Sequence, residues 1–481
     1  MNQVRPLVVI LVVALSLSLA VAASAQTASP VITPLFIFPC NASFVCSDGY
    51  FPISLIEGSD GNFYGAAVGG GAGLNAQGTI FKITPTGQIS VIYSFAESSN
   101  GSLPNGSAPI SVVEGTDGFL YGTTSENGGN GFGTVFKLSK SGVLQTLHNF
   151  CGTETCADGA NPGFLMQALD GNFYGATGPT LPPTSVLFRI TPAGSFKVLH
   201  TFDTESQPDG AGVFNMLQAS DGNFYGTTVA GEQFKPYNSV FRFDPATGKY
   251  TILHGFDTPN IYLPNVATSG LAMASTGELF GLQSGSELYQ ISLAGKYQRL
   301  SVLSTVDFFD GNILAASDGN LWGDFLGGDC GGQGIAFAAT TTGSVLQSLT
   351  FDCNTVGEQP AGMIQAADGK LYGVTLGNGG VSSTDEVTNG TIWTIDAGLP
   401  APAPAIIAFR PSSGPIGSKI LLQGNHFVGT TAVSLNGVSA AFQVLSVNYI
   451  SLTVPTGATS GTILVTNAGG TTTSTGVFTV Q

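Results

Sequence analysis

The sequence predicts an all-β protein: a seven-bladed β-propeller closed by an N-terminal strand, followed by an immunoglobulin-like β-sandwich. Three observations carry this expectation. The run Asp221-Gly222-Asn223-Phe224-Tyr225-Gly226-Thr227-Thr228 recurs in altered form from Asp60, Asp117, Asp170, Thr276, Asp318 and Asp368, and such regular recurrence marks a tandem repeat. Each copy is bracketed by short apolar runs and Gly-containing turns, the pattern of strands in a meander. Finally, 67 of 481 residues are Gly, only 9% are charged, and helix-forming runs of Ala, Glu, Lys and Leu are missing.

Residues 1–25 read as a secretory signal peptide. Arg5 is their only charge, 7–22 is apolar, and Ala23-Ser24-Ala25 is a small-residue cleavage site before Gln26. No second stretch is long and apolar enough to span a bilayer, so the mature chain is expected to leave the membrane for a secreted, periplasmic or cell-surface location. No Cys follows the cleavage site, so a lipid anchor is not expected. The net charge of −16 offers no electrostatic footprint for nucleic acid.

The first full unit shows the blade. Residues 53–57 form a short apolar strand, Ser59-Asp60-Gly61-Asn62 a turn and 63–67 a second strand. A Gly-rich loop, 69–77, leads to a third strand at 79–83, the turn 84–87 and a fourth strand at 89–95. Asp-Gly between apolar runs is a strong hairpin signal, because Gly accepts positive φ without steric cost. Four antiparallel strands in about 50 residues make one propeller blade.

Aromatic residues recur at fixed points. Third strands supply Phe81, Phe136, Phe188, Phe241, Tyr289, Phe337 and Trp393; second strands supply Tyr64, Tyr121, Tyr174, Tyr225, Phe280, Trp322 and Tyr372. Such rings are expected to fill the gaps between blades. Fourth strands end in Phe95, Phe150, Phe202, Phe256 and Phe351, whereas the fifth unit lacks this Phe. The seventh unit has no fourth strand after Trp393, while an orphan strand at 32–38 ends in Phe38. That strand is expected to complete the last blade and close the ring, which removes the free edges of an open sheet.

The connections sort onto two faces. Turns between strands one and two, and between three and four, are short and uniform. Loops between strands two and three, and between blades, are long and variable, as binding surfaces usually are. All six Cys fall on the variable face, and in an exported chain they are expected to form disulfides. Cys40 with Cys46 and Cys151 with Cys156 are close pairs at equivalent places, leaving Cys330 and Cys353 as the third couple. Neither CxxC spacing nor a nearby His supports metal binding by these thiols.

After the propeller at 26–399, Pro400-Ala401-Pro402-Ala403-Pro404 is a stiff, extended linker. Residues 405–481 alternate short strands with Gly and Asn turns, at the size of a small sandwich. They carry Pro411-Ser412-Ser413-Gly414-Pro415-Ile416-Gly417 and Leu421-Leu422-Gln423-Gly424-Asn425-His426-Phe427, followed by Asn436-Gly437-Val438 and Gly469-Gly470. On these motifs the tail resembles an IPT/TIG domain, which implies an accessory or interaction module. The repeats resemble the tandem GloVer (Gloeo/Verruco) family of exported bacterial proteins. Asp221 to Thr228 and Gly133-Thr134-Val135-Phe136-Lys137 carry that match, across about 32–399. The resemblance implies location and architecture rather than an activity, and the fifth unit departs from it, with Thr276-Gly277-Glu278 replacing Asp-Gly-Asn.

Candidate chemistry is sparse. His148, His200 and His254 occupy one repeat position on outer strands of different blades, so they cannot converge on a zinc ion. His426 stands alone in the tail. The Asp of each Asp-Gly turn is accounted for by turn capping, and one Asp per turn falls short of the six or more oxygens calcium takes. Asp324 and Asp329 flank Cys330 and are a candidate cation pair, although carboxylates in a Gly loop are usually solvated. Three residues before the turn Asp, the innermost strands read Glu57, Glu114, Gln167, Gln218, Met273, Ala315 and Gln365. If these face the channel, Glu57, Glu114, Gln167, Gln218 and Gln365 form a polar half-ring, whose two adjacent carboxylates are candidate acid/base groups. The competing reading is that they bond backbone and water. Gly69-Gly70-Gly71 is no phosphate loop, since neither Lys-Ser/Thr nor a helix start follows.

The expected function is therefore an exported, non-catalytic binding or cell-surface interaction protein that uses the variable-loop face. Loops 96–109, 151–162, 231–238, 327–334 and 381–389 would build that surface. A polysaccharide or an envelope protein is the expected partner by location, and no cofactor is implied. The alternative is an extracellular lyase or hydrolase acting on polysaccharide, since propellers host both classes.

Overall fold

The computed structural model describes residues 29–481 except 42–44, 74, 179–184, 203–211, 230–237, 257–269, 284–285, 304–308, 327–333, 353 and 378–387. Residues 1–25, the expected signal peptide, lie outside the described residues. Among those described, the chain forms a seven-bladed propeller and a C-terminal sandwich, all β.

Every blade is a four-stranded antiparallel meander. Blade 1 comprises Tyr50–Glu57, Phe63–Gly69, Thr79–Ile83 and Ile89–Ser94. The first strands of the other blades are Ser107–Glu114, Pro162–Gln167, Gly212–Gln218, Ala272–Met273, Phe309–Ala315 and Glu358–Gln365. Neighbouring first strands adjoin around most of the ring and so define its inner wall.

Ile32–Pro39 closes the circle. It supplies the fourth strand of blade 7, pairing with Thr388–Ile395 through Ile32 opposite Ile395 and Pro34 opposite Trp393. Phe38 is fully buried, and its ring meets Phe81 of blade 1 at 5.4 Å, edge to face. The pattern repeats at four of the other five outer strands that end in Phe: Phe95 meets Phe136 at 5.6 Å, Phe150 meets Phe188 at 5.3 Å, Phe256 meets Tyr289 at 5.4 Å and Phe351 meets Trp393 at 5.2 Å, while Phe202 meets Tyr250 at 5.5 Å. The core is accordingly a series of apolar layers, one between each pair of blades, with a separate core in the sandwich.

The Gly that follows the second-strand aromatic belongs to this packing. A Cβ on Gly65 would sit 2.3 Å from the Phe81 ring, and one on Gly373 would sit 2.2 Å from Trp393. Gly122, Gly175, Gly226, Gly281 and Gly323 meet the third-strand ring of their own blades in the same way. The repeated Tyr-Gly pair is thus a bare floor on which the next strand's ring lies.

The tail forms two facing sheets. One contains Ala405–Arg410, Lys419–Asn425, Tyr449–Thr453 and Phe442–Ser446; the other contains Val438–Ser439, Ala432–Leu435, Ile463–Asn467 and Gly470–Thr473. Ile420, Leu422, Phe427, Leu435, Ile450 and Phe478 are fully buried between them.

Removing the Phe38 ring tests the closure directly. Phe38→Ala leaves a cavity between blades 7 and 1, so stability is expected to fall by about 3–5 kcal/mol in urea unfolding. A loss below about 1 kcal/mol would show that the strand at 32–39 does not hold the ring shut.

Candidate functional site

The uniform face is built around a turn cluster that recurs in blades 1, 2, 3, 4 and 7. The turn Asp accepts a hydrogen bond from the backbone N–H two residues on, at 3.0 Å for Asn172 on Asp170 and for Asn223 on Asp221. Its second oxygen accepts the hydroxyl of the second-strand Tyr. Tyr64 donates to Asp60 at 2.9 Å, Tyr121 to Asp117 at 2.7 Å, Tyr174 to Asp170 at 2.8 Å, Tyr225 to Asp221 at 2.7 Å and Tyr372 to Asp368 at 2.8 Å. A third-strand cation completes the cluster in the first blades, with Lys82 at 3.0 Å from Asp60 and Lys137 at 2.7 Å from Asp117. Burial and the Asp partner push these phenols up, Tyr225 to about 12, so they remain hydrogen-bond donors. Burial opposes the shift at Asp60, yet bonds from Lys82, Asn62 and Tyr64 hold it down to about 2. The Asp, Tyr and Lys of the repeat are one motif, a link that reading each residue type separately misses.

The inner-strand positions lie just inside this face, and each bonds the preceding blade. Glu114 accepts the Ser59 N–H at 2.6 Å and the Ser59 hydroxyl at 2.8 Å. Gln167 accepts Thr116 N–H at 2.9 Å, Gln218 accepts Leu169 N–H at 3.0 Å, and Gln365 accepts Ser317 N–H at 2.9 Å. Glu57 takes Ala367 N–H at 3.1 Å, which carries the series across the closure. The acceptor oxygen thus replaces a sheet bond that cannot form between separate blades. Met273 and Ala315 have no acceptor, so the interfaces between blades 4 and 5 and between blades 5 and 6 lack this bond.

Two carboxyls at the same repeat position differ in their partners. Glu114 has Lys140 Nζ at 2.5 Å. Glu57 has no ion pair among the described residues; burial pushes its carboxyl up to about 7, with the Asp368 charge adding to the effect and the Ala367 N–H opposing it. Asp324 does not belong to a Gly loop beside Cys330. It sits within Leu321–Leu326, fully buried, with its carboxyl pushed up by burial to about 7. Asn312 Nδ2 donates to one oxygen at 3.2 Å, and Oδ2 has no partner among the described residues. Asp329 lies outside the described residues.

On the variable face, Cys40–Cys46 and Cys151–Cys156 are disulfide-bonded. Cys330 and Cys353 lie outside the described residues, as do most of loops 231–238, 327–334 and 381–389. The histidines are packing groups between blades. The His148 ring stacks on Phe196 at 3.8 Å, His200 on Tyr250 at 4.4 Å and His254 on Tyr297 at 3.8 Å, each partner belonging to the next blade. Burial lowers His148, opposed by Asp158 at 3.0 Å, and lowers His426 to about 4. Among the described residues, no three His, Cys, Asp or Glu side chains are grouped to hold a metal ion.

A second motif, Gly-x-x-Pro at the start of the first strand, went unread in the sequence. Gly49 to Pro52, Gly106 to Pro109, Gly159 to Pro162 and Gly357 to Pro360 carry it. Each Pro packs on a Gly just before or at the start of the third strand of the preceding blade, so a Cβ on Gly78 would lie 2.2 Å from Pro109. The residue before each Pro is left-handed, with φ of 53° at Phe51 and 50° at Ala108. Phe51 is 40% exposed, and its ring meets Tyr50 at 5.0 Å.

The tail packs on the uniform face. Tyr449, 2% exposed, donates from its hydroxyl to the Gln167 carbonyl at 2.9 Å, and Gln423 Nε2 donates to Gln218 Oε1 at 3.0 Å. The linker is held as well, with Ser317 Oγ donating to the Pro400 carbonyl at 2.6 Å.

Comparison with known proteins agrees with this architecture. Residues 33–231 match the Gloeobacter/Verrucomicrobia repeat, and 404–480 match the IPT/TIG domain. The remaining blades have the same architecture outside the matched span. No curated protein matches the chain. Among solved structures, a fungal alcohol oxidase of the AA5 family in complex with copper is 14% identical, with a TM-score of 0.52 over 90% of this chain and 98% of that one. The extracellular domain of a one-component system protein from B. thetaiotaomicron is 12% identical, with a TM-score of 0.48 over 94% of this chain and 58% of that one. The first likeness is one of fold.

Glu57 gives stability a pH dependence of known sign. Burial holds its folded pKa above the ordinary 4.5 of a glutamate, so its contribution is fully present below about 4.5 and is lost as pH rises through about 7. Glu57→Gln keeps the acceptor, as Gln does in blades 3, 4 and 7. It is expected to change little at pH 4.5 and to stabilise by up to about 3 kcal/mol at pH 8.5. Parallel stability–pH curves for the two proteins would refute the buried, uncompensated carboxyl.

Proposed function

We propose that this chain of Gloeobacter/Verrucomicrobia repeats and an IPT/TIG domain is an exported, non-catalytic binding protein that presents its variable-loop face to a polysaccharide. The disposition of the two faces supports the reading. The uniform face is consumed by turn clusters, inter-blade bonds and the docked tail. The opposite face carries long loops braced by Cys40–Cys46 and Cys151–Cys156, and two disulfides accord with an extracytoplasmic location. No described helix is long and apolar enough to cross a membrane.

The observation that carries the sugar assignment is the Tyr50–Phe51 pair. Phe51 is held exposed by a left-handed backbone at the rim of the first strand, where an aromatic ring gains nothing from the core. Its apolar face suits the C–H face of a pyranose, while loop amides and hydroxyls supply hydrogen bonds. An envelope protein is the second partner class that the location admits.

The test is the melting temperature of the oxidised mature chain against polysaccharides, small sugars and divalent cations, since a ligand of the folded state raises it by mass action. A polysaccharide is expected to raise it by several degrees and to be recovered intact. Phe51→Ala, which matches Ala108 at the equivalent position, is expected to abolish the shift while leaving the unliganded melting temperature unchanged. A consumed ligand would identify an enzyme instead, and no shift across the panel would remove the sugar assignment.

A further inference from the structure

We propose that the IPT/TIG domain and its linker clamp the propeller across blade 5, where ring stacking such as His254 on Tyr297 persists but two of the ring's repeated inter-blade fastenings are missing. Two fastenings join neighbouring blades elsewhere. On the uniform side, the Glu or Gln of one inner strand accepts an N–H from the preceding turn. On the loop side, a Pro packs on the Gly of the preceding blade, as Pro52 does on Gly390, Pro109 on Gly78, Pro162 on Gly133 and Pro360 on Gly334.

Both run out on the same arc. At the first position blades 5 and 6 carry Met273 and Ala315; at the second, blades 4, 5 and 6 carry Val213, Thr268 and Asp310. The interfaces flanking blade 5 therefore have neither fastening.

The tail is anchored on either side of this arc. Beyond it, Ser317 of blade 6 bonds the Pro400 carbonyl, Gly369 of blade 7 lies so close under the linker that a Cβ would meet Ala401 N at 3.2 Å, and Gln365 Nε2 of blade 7 donates to the Pro400 carbonyl at 3.4 Å. Before it, the sandwich bonds Gln167 of blade 3 and Gln218 of blade 4 through Tyr449 and Gln423. Between the two anchors the chain has no slack, because Asn467 of the sandwich donates to the Pro402 carbonyl at 3.0 Å. Opening the ring at blade 5 would have to break one anchor. These five contacts, two before blade 5 and three beyond it, are what a brace across a gap requires.

Hydrogen exchange of the full mature chain, read peptide by peptide by mass spectrometry, tests this. Gln423→Leu with Tyr449→Phe removes the sandwich bonds, and a protease site placed at 401–403 allows the linker to be cut in the folded protein. Either change is expected to speed exchange in 272–302 about tenfold or more, with 107–149 unaffected. Met273→Gln supplies an acceptor for the turn of blade 4 and is expected to suppress most of that gain. Unchanged exchange in blade 5 after the linker is cut, or an equal rise in blades 2 and 5, would overturn the clamp. Failure of Met273→Gln to suppress the effect would show that the missing fastening is not what the tail replaces.

Discussion

The sheets of this propeller share no ladder of backbone hydrogen bonds, only single ones at the loop side such as Ala108 N–H to the Gln77 carbonyl, and much else in the molecule follows from how that gap is bridged. The solution here is a side-chain acceptor on each inner strand that takes an N–H from the neighbouring turn. One bond of this kind contributes about 0.5–1.5 kcal/mol, more where the acceptor is charged. Its larger effect is geometric. It fixes the rotation of one blade on the next, so that Phe95 reaches Phe136 and Phe150 reaches Phe188. Carboxylate and carboxamide do the same job, but only the carboxylate must be neutralised when it is buried. Glu114 meets that need with Lys140, whereas Glu57 retains its proton to higher pH.

The architecture was legible because the repeat states it several times. Strand order, the seven-fold count, the closing strand at 32–39 and the tail sandwich all follow from alternation, turn residues and the unpaired third strand at Trp393. The channel positions were legible by place and not by orientation. Period-two counting puts Glu57 and Glu114 on the innermost strand, but cannot say whether such a side chain points at the axis or sideways. The answer depends on a turn N–H contributed by another blade, which is some 50 residues away for Glu114 and 310 for Glu57.

Other features went unread for a related reason. Gly78 and Pro109 are far apart in the repeat and appear as separate turn residues; they become one contact only when two blades are set side by side. Asp324 was placed by its neighbour Cys330 rather than by its register in Leu321–Leu326, which carries it into the packed layer between blades 6 and 7. The histidines were correctly separated by blade, yet their stacking on Phe196, Tyr250 and Tyr297 depends on an aromatic at the start of the next outer strand. In each case the missing information is the inter-blade relation.

This also explains why the sequence match fades where it does. The repeat model covers 33–231 and stops at the end of the second strand of blade 4. In blade 5, the first whole unit beyond that point, the residues that define the motif lose their partners together: Thr276 replaces the turn Asp, Phe280 brings no hydroxyl, Gln290 brings no charge, and Met273 offers no acceptor, whereas blade 7 regains Asp368, Tyr372 and Gln365. Each of these groups exists to satisfy another member of the cluster, so losing one removes the constraint on the rest. What persists in blades 5 and 6 is the part that obeys packing alone, namely the Gly floor at Gly281 and Gly323 and the rings of Tyr289 and Phe337 that rest on it. Apolar packing is enough to keep the blade count at seven. The polar fastenings decide how firmly each blade is held.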